Sequence, residues 1–188
     1  MRANMRRFYS SVRTRLQARV SGQATAEFAV VAPLLLVLIC GAIDFGRALN
    51  DVQIMADLTR QGSNLASRGT PLNESNAAVV SGESGLDLVH QGEVISTSVT
   101  NENGTYKISG QDTSTADGLT TLSATSKVGT GVGATATLST AAQNAIPQNG
   151  QTVFITEIFY TFTPVTPIGA MTQSAISMPS QLYDSAYF

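Results

Sequence analysis

The sequence predicts an α+β protein in which a long N-terminal membrane helix continues into an amphipathic helix packed on a small antiparallel β-sheet. Three observations support this fold class. An apolar run follows an arginine-rich head, helical spacing of apolar residues continues beyond that run, and alternating β-branched segments come later. The chain is therefore divided into a basic cytoplasmic leader (1–22), the transmembrane half of the helix (23–43), its amphipathic continuation (44–69) and an exported α+β head (70–188).

The apolar run is long enough to cross a bilayer. The twenty residues from Ala24 to Ile43 carry one charge, that of Glu27. As a helix they rise about 30 Å, which matches the thickness of a hydrocarbon core. Pro33 is compatible with a membrane helix because neighbouring groups satisfy the carbonyl that it leaves unpaired. The alternative is a buried helix of a soluble core, which the flanking arginines and the leucines at 34–36 disfavour.

The charge distribution predicts the orientation of this helix. Residues 1–22 contain six of the eleven basic residues and no acidic one, whereas five basic residues face thirteen acidic ones from Gln23 onward. By the positive-inside rule, the leader stays in the cytoplasm and residues 44–188 are exported. The acidic exported part argues against nucleic-acid binding, which requires clustered cations.

A secretory signal peptide is the competing interpretation of the N-terminal region. The small residues in Cys40-Gly41-Ala42 offer a signal-peptidase site, and residues 34–39 could form the apolar core of such a peptide. The mature chain would then begin at Ile43. Against this interpretation, the region preceding the uncharged run that starts at Phe28 would be 27 residues long and would end in Glu27.

Helical spacing continues beyond the membrane span. Apolar residues recur at mostly helical spacing and predict a stripe that packs against the head, formed by Phe45, Leu49, Val52, Ala56 and Leu58. Polar residues are expected mostly on the other faces, with solvated i,i+3 pairs at 44/47 and 57/60: Asp44, Arg47, Asn50, Asp51, Asp57 and Arg60. The helix is predicted to end near Ala66, with Gly69 as its C-cap and Pro71 just beyond.

The remaining segments predict three or four antiparallel strands and short helices. Residues 72–92 are predicted as a short helix and loop with 77–80 on the buried side, and Asn103-Gly104 is a hairpin turn between strands at 93–101 and 105–109. The later predictions are, in order, a long connection or weakly packed excursion (110–135), a short helix (137–145), a turn (147–150), a strand (151–163), a proline-rich link (165–170) and a last short strand (174–178).

The strand at 151–163 has the strongest strand pattern in the chain. Its alternation places one set of residues on a single face: Val153, Ile155, Glu157, Phe159 and Thr161. Glu157 is therefore a carboxylate within an apolar strand. We expect it to lie on a half-solvated face or to pair with a cation at an interface, and the alternative is a buried functional carboxylate.

No catalytic, metal or cofactor site is predicted. His90 is the sole histidine, so a His-based metal cluster or catalytic triad has at most one candidate, and we expect it at the surface. Asp112 and Asp117 lack the spacing of a calcium loop. Cys40 is the sole cysteine, which excludes an internal disulfide. We expect it to be an apolar membrane residue, with a reactive or intersubunit thiol as the alternative. The exported part is predicted to be an interaction module without a small-molecule substrate.

The junction between the leader and the apolar run resembles a known processing motif. Its residues Gly22-Gln-Ala-Thr-Ala-Glu-Phe28 are similar to the class III cleavage site of type IV pilins of the Tad (tight adherence, Flp) system. The block from 22 to 36, the segment Ile43–Leu49 and, less specifically, Phe159–Pro167 resemble TadE/TadG-type pseudopilins. Phe28 departs from the tyrosine that most of the family has at that place.

The resemblance implies a pilin-like fold and processing by a prepilin peptidase. The peptidase would cut between Gly22 and Gln23, while Glu27 and Phe28 would serve peptidase recognition and subunit assembly. After the cut, Glu27 could pair with the new ammonium of a neighbouring subunit in a dry helix bundle. The residues alone leave two other interpretations open. Gly22 could be a flexible joint, and Glu27 could simply reach the membrane interface.

The predicted function is that of a minor pilin or pseudopilin in pilus assembly and adhesion, as an initiator, tip or minor subunit. Its expected partners are the prepilin peptidase, other pilins through helix packing, and the bacterial inner membrane. The N-terminus would be cytoplasmic and the head periplasmic or extracellular, in a surface pilus after processing. The alternative function is a single-span envelope protein, uncleaved or processed by signal peptidase, whose head binds a ligand or partner.

Overall fold

A computed structural model describes residues 2–82, 85–146, 148–167 and 180–188, with side chains from Gly22 onward. One helix, α1, runs from Arg2 to Ser67 with Pro33 inside it. Three shorter helices follow: α2 (Leu72–Ser81), α3 (Leu88–Gln91) and α4 (Thr140–Ala145). Four strands form one sheet: β1 (Gly92–Glu102), β2 (Thr105–Thr113), β3 (Thr152–Thr161) and β4 (Gln181–Tyr187). The predicted α+β fold class, with a long apolar helix and a small antiparallel sheet, is confirmed.

Helix α1 ends where the sequence predicts. Gly69 adopts a φ of +93°, which a residue without a side chain reaches at no steric cost. The N–H groups of Gly69 and Thr70 donate to the carbonyls of Ala66 and Leu65, at 3.0 Å and 3.2 Å. This pattern is that of a glycine C-cap, which satisfies carbonyls at the end of the helix.

The part of α1 that is apolar enough to cross a membrane is exposed along most of its length. Within the described residues, Gly22–Ser67 is the helix whose length and composition fit a membrane span. The side chains of Phe28 and of nearly all the apolar residues at 30–43 face outward from the protein. A helix buried in a soluble core would hide such residues, so the alternative of a core helix is wrong.

The predicted head-facing stripe of α1 is wrong in its rotational position at residues 45–52, whereas its Leu58 packs in the core as predicted. Phe45, Leu49 and Val52 are exposed, and the residues that face the head are Asp44, Ala48, Asp51, Met55, Leu58, Thr59, Gly62, Ser63 and Ala66. The observed set places two aspartates against the head. Of the predicted surface pairs, Asp57 and Arg60 are exposed, with their charged groups 3.9 Å apart. Asp44 is buried and does not form the predicted solvated pair.

The sheet is entirely antiparallel, in the order β2-β1-β3-β4. The β1–β2 hairpin turns at Asn103-Gly104 with φ values of 53° and 86°, as the sequence predicts. The predicted strand at 174–178 lies outside the described residues. Strand β4 was not predicted, and it pairs with β3 from Ile155↔Tyr187 to Thr161↔Gln181.

Opposite faces of the sheet are covered by different parts of the chain. Helices α1 and α2 cover one face and form a core with Val94, Ile158 and Tyr160. Residues from 128 to 146 cover the other face through Val128, Ala136 and Ile146, which pack on Val99, Ile108, Val153 and Ile155. The predicted alternation of β3 is therefore confirmed. Of the segment predicted as a long connection or weakly packed excursion, residues 110–113 belong to β2, and the rest is an irregular connection that is anchored in the core.

Helix α2 buries two polar residues beside part of the predicted apolar group at 77–80. Val79 of that group is buried and Val80 is partly buried against the core, as predicted, whereas Ala78 is exposed. Ser75 and Asn76 are the buried polar residues. The Ser75 hydroxyl donates to the Gly62 carbonyl at 2.8 Å, and the Asn76 amide donates to Asp112 at 2.8 Å. These partners satisfy the polar groups, which removes the usual cost of burying them.

Candidate functional site

The residues of the predicted processing motif lie on an accessible part of α1. Gly22, Gln23 and Glu27 are exposed, and the Phe28 side chain is 70% exposed. The Gln23 amide donates to the Glu27 carboxylate at 3.0 Å, one helical turn away. Nothing lies within 4 Å of the place where a Cβ of Gly22 would stand. The four predicted site residues are thus together on one exposed stretch of helix.

The exposed apolar surface of α1 continues beyond the span. Phe45 is 56% exposed, and Leu49 and Val52 are also exposed although they lie beside the head. Cys40 within the span is a half-buried free thiol. Helix α1 therefore has two surfaces past residue 43: one packs on the sheet, and the other presents large apolar side chains with no part of the described head over them.

The junction between the span and the head is made by Asp44. Its side chain is 0% exposed. The carboxylate accepts hydrogen bonds from the backbone N–H groups of Val165 and Thr166, at 3.0 Å and 3.3 Å, and from the Thr166 hydroxyl. Sequence reasoning missed this contact. The signal that could have found it is that Asp44 shares a face of α1 with Ala48, Asp51 and Met55.

A second polar contact joins α1 to the edge of the sheet. The Thr59 hydroxyl donates to the Asp184 carboxylate of β4 at 2.6 Å. Asp184 thereby attaches the edge strand β4 to α1. Together with the Asp44 contact, it attaches the head to α1 at positions 15 residues apart along the helix.

Two buried glutamates hold the covering segment on the opposite face of the sheet. Glu93 of β1 accepts a hydrogen bond from the Ala124 N–H, and Glu157 of β3 accepts from the Ser126 hydroxyl, the Lys127 N–H at 2.9 Å and the Tyr183 hydroxyl at 2.9 Å. Burial raises the pKa of Glu93, although its hydrogen bonds oppose that shift. The expectation that Glu157 lies on a half-solvated face or pairs with a cation is wrong, since it is fully buried and its partners are hydroxyl and amide groups.

The Tyr183 side chain contacts both the Glu157 carboxylate and the Lys127 ammonium. The Lys127 ammonium is 3.4 Å from the ring centroid, and the Phe159 ring centroid is 5.0 Å away. Burial raises the pKa of Tyr183 to about 12, with the nearby Glu157 carboxylate adding to the effect. The neutral tyrosine is therefore the form present in this packing.

The remaining ionisable candidates do not assemble into a reaction centre in the described ranges. His90 is exposed and contacts the Asp87 carboxylate at 2.9 Å, within a helix of four residues. Burial and the neighbouring Asp117 raise the pKa of Asp112. Between residues 22 and 188, no described group of three or more His, Cys, Asp or Glu residues could hold a metal ion.

Comparisons with known proteins bear on the N-terminal helix. Neither a curated protein nor a solved structure matches the chain. A family model described as TadE-like protein matches residues 22–64. The match begins at Gly22 and ends in the last turns of α1, so it covers the exposed motif, the span and the part that packs on the head. The TadE-like family is a structural pilus component and not a known enzyme family. This match confirms the resemblance to the TadE/TadG-type proteins of the Tad pilus system over residues 22–64.

Proposed function

We propose that this protein is a pseudopilin or minor pilin of a Tad-type system and enters a filament through α1. The observation that carries the proposal is the second surface of this helix. One unbroken helix connects the membrane span to the head, and its apolar side chains stay exposed from Phe28 to Val52. Lipid can cover this surface only within the span. Neighbouring α1 helices would cover it along its whole length in a helical core.

We further propose that a prepilin peptidase removes the leader 1–22 by cutting between Gly22 and Gln23. Support comes from the exposure of this bond and from the start of the family match at Gly22. In the inner membrane, with the N-terminus cytoplasmic, this bond would lie at the cytoplasmic edge of the bilayer. Residues 23–43 would be the membrane half of the helix, residues 44–69 its continuation, and residues 70–188 the exported head.

Glu27 has a specific role in this proposal. Removal of the leader creates an ammonium at Gln23, and a carboxylate within an apolar helix surface is costly unless an opposite charge meets it. Glu27 of one subunit would pair with the ammonium of its neighbour, and Phe28 would pack beside it. The head would then be displayed at the filament surface or tip, where initiation of assembly and adhesion are the roles open to it.

The deciding experiment is N-terminal sequencing and intact mass of the protein expressed with its peptidase. We expect a start at Gln23. Gly22→Leu should abolish the cut, because the peptidase requires a small residue, whereas Ala42→Leu should leave it unchanged. A start at Ile43 that Ala42→Leu blocks would establish signal-peptidase processing instead, and a retained leader in the presence of active peptidase would contradict the proposal.

Assembly is tested by Glu27→Ala with Glu74→Ala as its matched control. Glu74 is an exposed carboxylate on α2, away from the proposed helix contact. Glu27→Ala should remain in the membrane fraction but be lost from sheared filaments, and Glu74→Ala should be recovered normally. Equal recovery of the two variants in filaments would overturn the charge-pairing role of Glu27.

A further inference from the structure

The Asp44 contact fixes one loop of the head at a defined height on α1. The loop is formed by residues 163–167, and the backbone N–H groups of Val165 and Thr166, which are 121 and 122 positions from Asp44 in sequence, bind the Asp44 carboxylate. Asp44 directly follows Ile43, the last residue of the apolar run. The loop is therefore held where α1 leaves the apolar part of a membrane.

The composition of this loop suits an apolar boundary. Pro164 is buried, while Val165 is 65% exposed and Ile43 of the span is also exposed. Residues 163–167 are Thr-Pro-Val-Thr-Pro, with no charged side chain. The loop thus presents an uncharged, partly apolar tip next to the exposed end of the span.

We propose that the loop 163–167 lies in the headgroup layer of the bilayer, with Val165 reaching the acyl-chain boundary, and that Asp44 is the positioning residue. A headgroup layer is about 5–7 Å thick on each side of the hydrocarbon core, and Asp44 stands only about 1.5 Å above Ile43 along the helix axis. A loop bonded to Asp44 therefore falls within that layer. The proposal rests on α1 crossing a membrane and does not depend on filament assembly.

The contact also explains how a carboxylate is accommodated at this height. An ionised group next to lipid is costly unless it is hydrogen-bonded or paired. Asp44 receives two backbone donors and one hydroxyl from a loop that itself carries no charge. The Asp44 carboxylate and the polar groups of the loop thus satisfy each other by hydrogen bonds, so both can lie in the headgroup layer.

The experiment measures the depth of a spin label at position 165 in lipid vesicles. Cys40→Ala removes the sole cysteine, and Val165→Cys then gives a single labelling site in the full chain. Val132→Cys is the matched control, because Val132 is 69% exposed and lies next to Gly133, which bonds to Ile108. Ile108 pairs with Val99, close to the Glu102 end of β1. The 163–167 loop follows β3 at the opposite end of β1, where Gly92 pairs with Tyr160.

Membrane-soluble oxygen and a water-soluble nickel chelate compete as relaxing agents of the label. We expect the ratio of oxygen to nickel collisions to be several-fold higher at 165 than at 132. Equal ratios at the two positions would overturn the lipid contact. Dipolar broadening at 165 that is removed by unlabelled protein would show that a second copy of the chain covers the loop, and would overturn it as well.

The positioning role of Asp44 is tested in the same assay. Asp44→Ala should lower the ratio at 165 towards the value at 132, and Asp44→Asn, which keeps one acceptor oxygen, should restore part of it. If Asp44→Ala fails to fold by circular dichroism, the Asp44→Asn value alone decides. An unchanged ratio in a folded variant would show that the loop reaches lipid without Asp44 and would overturn its role.

Discussion

Three buried carboxylates accept hydrogen bonds from backbone groups of segments that are distant from them in sequence. Asp44 binds the loop at 165–166, Glu93 binds the backbone at Ala124, and Glu157 binds the backbone at Lys127. Each is surrounded by donors rather than by a cation within salt-bridge distance. A buried carboxylate held only by neutral donors keeps part of its desolvation penalty, so these residues fix where segments lie more than they add to stability.

Glu93→Gln should show that penalty through its pH dependence. Because the pKa of Glu93 is raised above 4.5, the folded state holds this proton more tightly than the unfolded state. Its contribution to stability is therefore present below pH 4.5 and is lost as the pH rises through the folded pKa. We expect Glu93→Gln to unfold at a temperature equal to or above that of the wild type at pH 7, and to lose this advantage at pH 4.

The measurement is thermal unfolding of the full chain in detergent, followed by circular dichroism. Glu74→Gln is the control, since it makes the same change at an exposed position on α2. A variant that is less stable than the wild type at pH 7 but equal to it at pH 4 would reverse the sign and contradict the argument.

Helix α1 approaches the sheet most closely at Gly62. A Cβ at this position would stand 2.9 Å from both the Cγ2 and Oγ1 atoms of Thr156, and 3.0 Å from Cγ2 of Val79. The Gly62 carbonyl also accepts the Ser75 hydroxyl. One glycine thus allows α1, α2 and β3 to meet without a gap, and a side chain there would push the helix away from the sheet.

Gly62→Ala should destabilise the head by about 1–3 kcal/mol, the usual cost of overpacking a core. Gly46→Ala is the matched control, because Gly46 lies in the same helix with nothing within 4 Å of its Cβ position. Alanine in an exposed helix interior gains up to about 1 kcal/mol over glycine. Denaturant unfolding of both variants checks this pair. If Gly62→Ala and Gly46→Ala have equal free energies of unfolding, α1 accommodates the methyl group at position 62 by shifting without cost.

Elements with strong local signals could be predicted from the sequence. Gly69 ends α1 and Asn103-Gly104 turns the first hairpin, because only special backbone conformations fit there. Strand β4 could not be predicted, since Asp184 and Tyr183 acquire their partners, Thr59 and Glu157, only in the folded chain.

The candidate site likewise has a part that the sequence predicts and a part that it does not. The motif from Gly22 to Phe28 is contiguous and was identified locally, and the structure places its residues on one exposed stretch. The helical pattern can place Asp44 on the face of α1 that packs on the head, but its partner is a loop far along the chain that no local pattern identifies. The predicted stripe is wrong at Phe45, Leu49 and Val52 because large apolar residues are expected to pack in the core, whereas this helix exposes these three at a second surface.

At the scale of the whole molecule, α1 has two structural roles. Its C-terminal part packs on the sheet as a layer of the head, and its N-terminal part has the length and composition of a membrane span. The sheet is covered on its other face by the segment that Glu93 and Glu157 hold. Both faces of the sheet are therefore covered, and no described part of the head lies over the exposed apolar stripe of α1.

Leu49→Asp tests that stripe without disturbing the head. The side chain is exposed in the single chain, so the variant should fold and insert normally. A carboxylate buried without a partner between helices costs several kcal/mol, so incorporation into filaments should fall by about tenfold or more. Asn50→Asp is the control, because it adds the same charge at an exposed position about 100° around α1 from Leu49. Comparable filament incorporation of the two variants would mean that residue 49 meets no neighbouring helix.

The continuity of α1 also sets a rotational phase between its two ends. Phe45 stands eighteen residues above Glu27, which is five turns at about 3.6 residues per turn, so both lie on one line along the helix. Deleting one residue between them would turn Glu27 by about 100° relative to the head, while deleting seven would nearly restore the line. The length of the span therefore sets the direction in which each head points when the proposed charge pair forms.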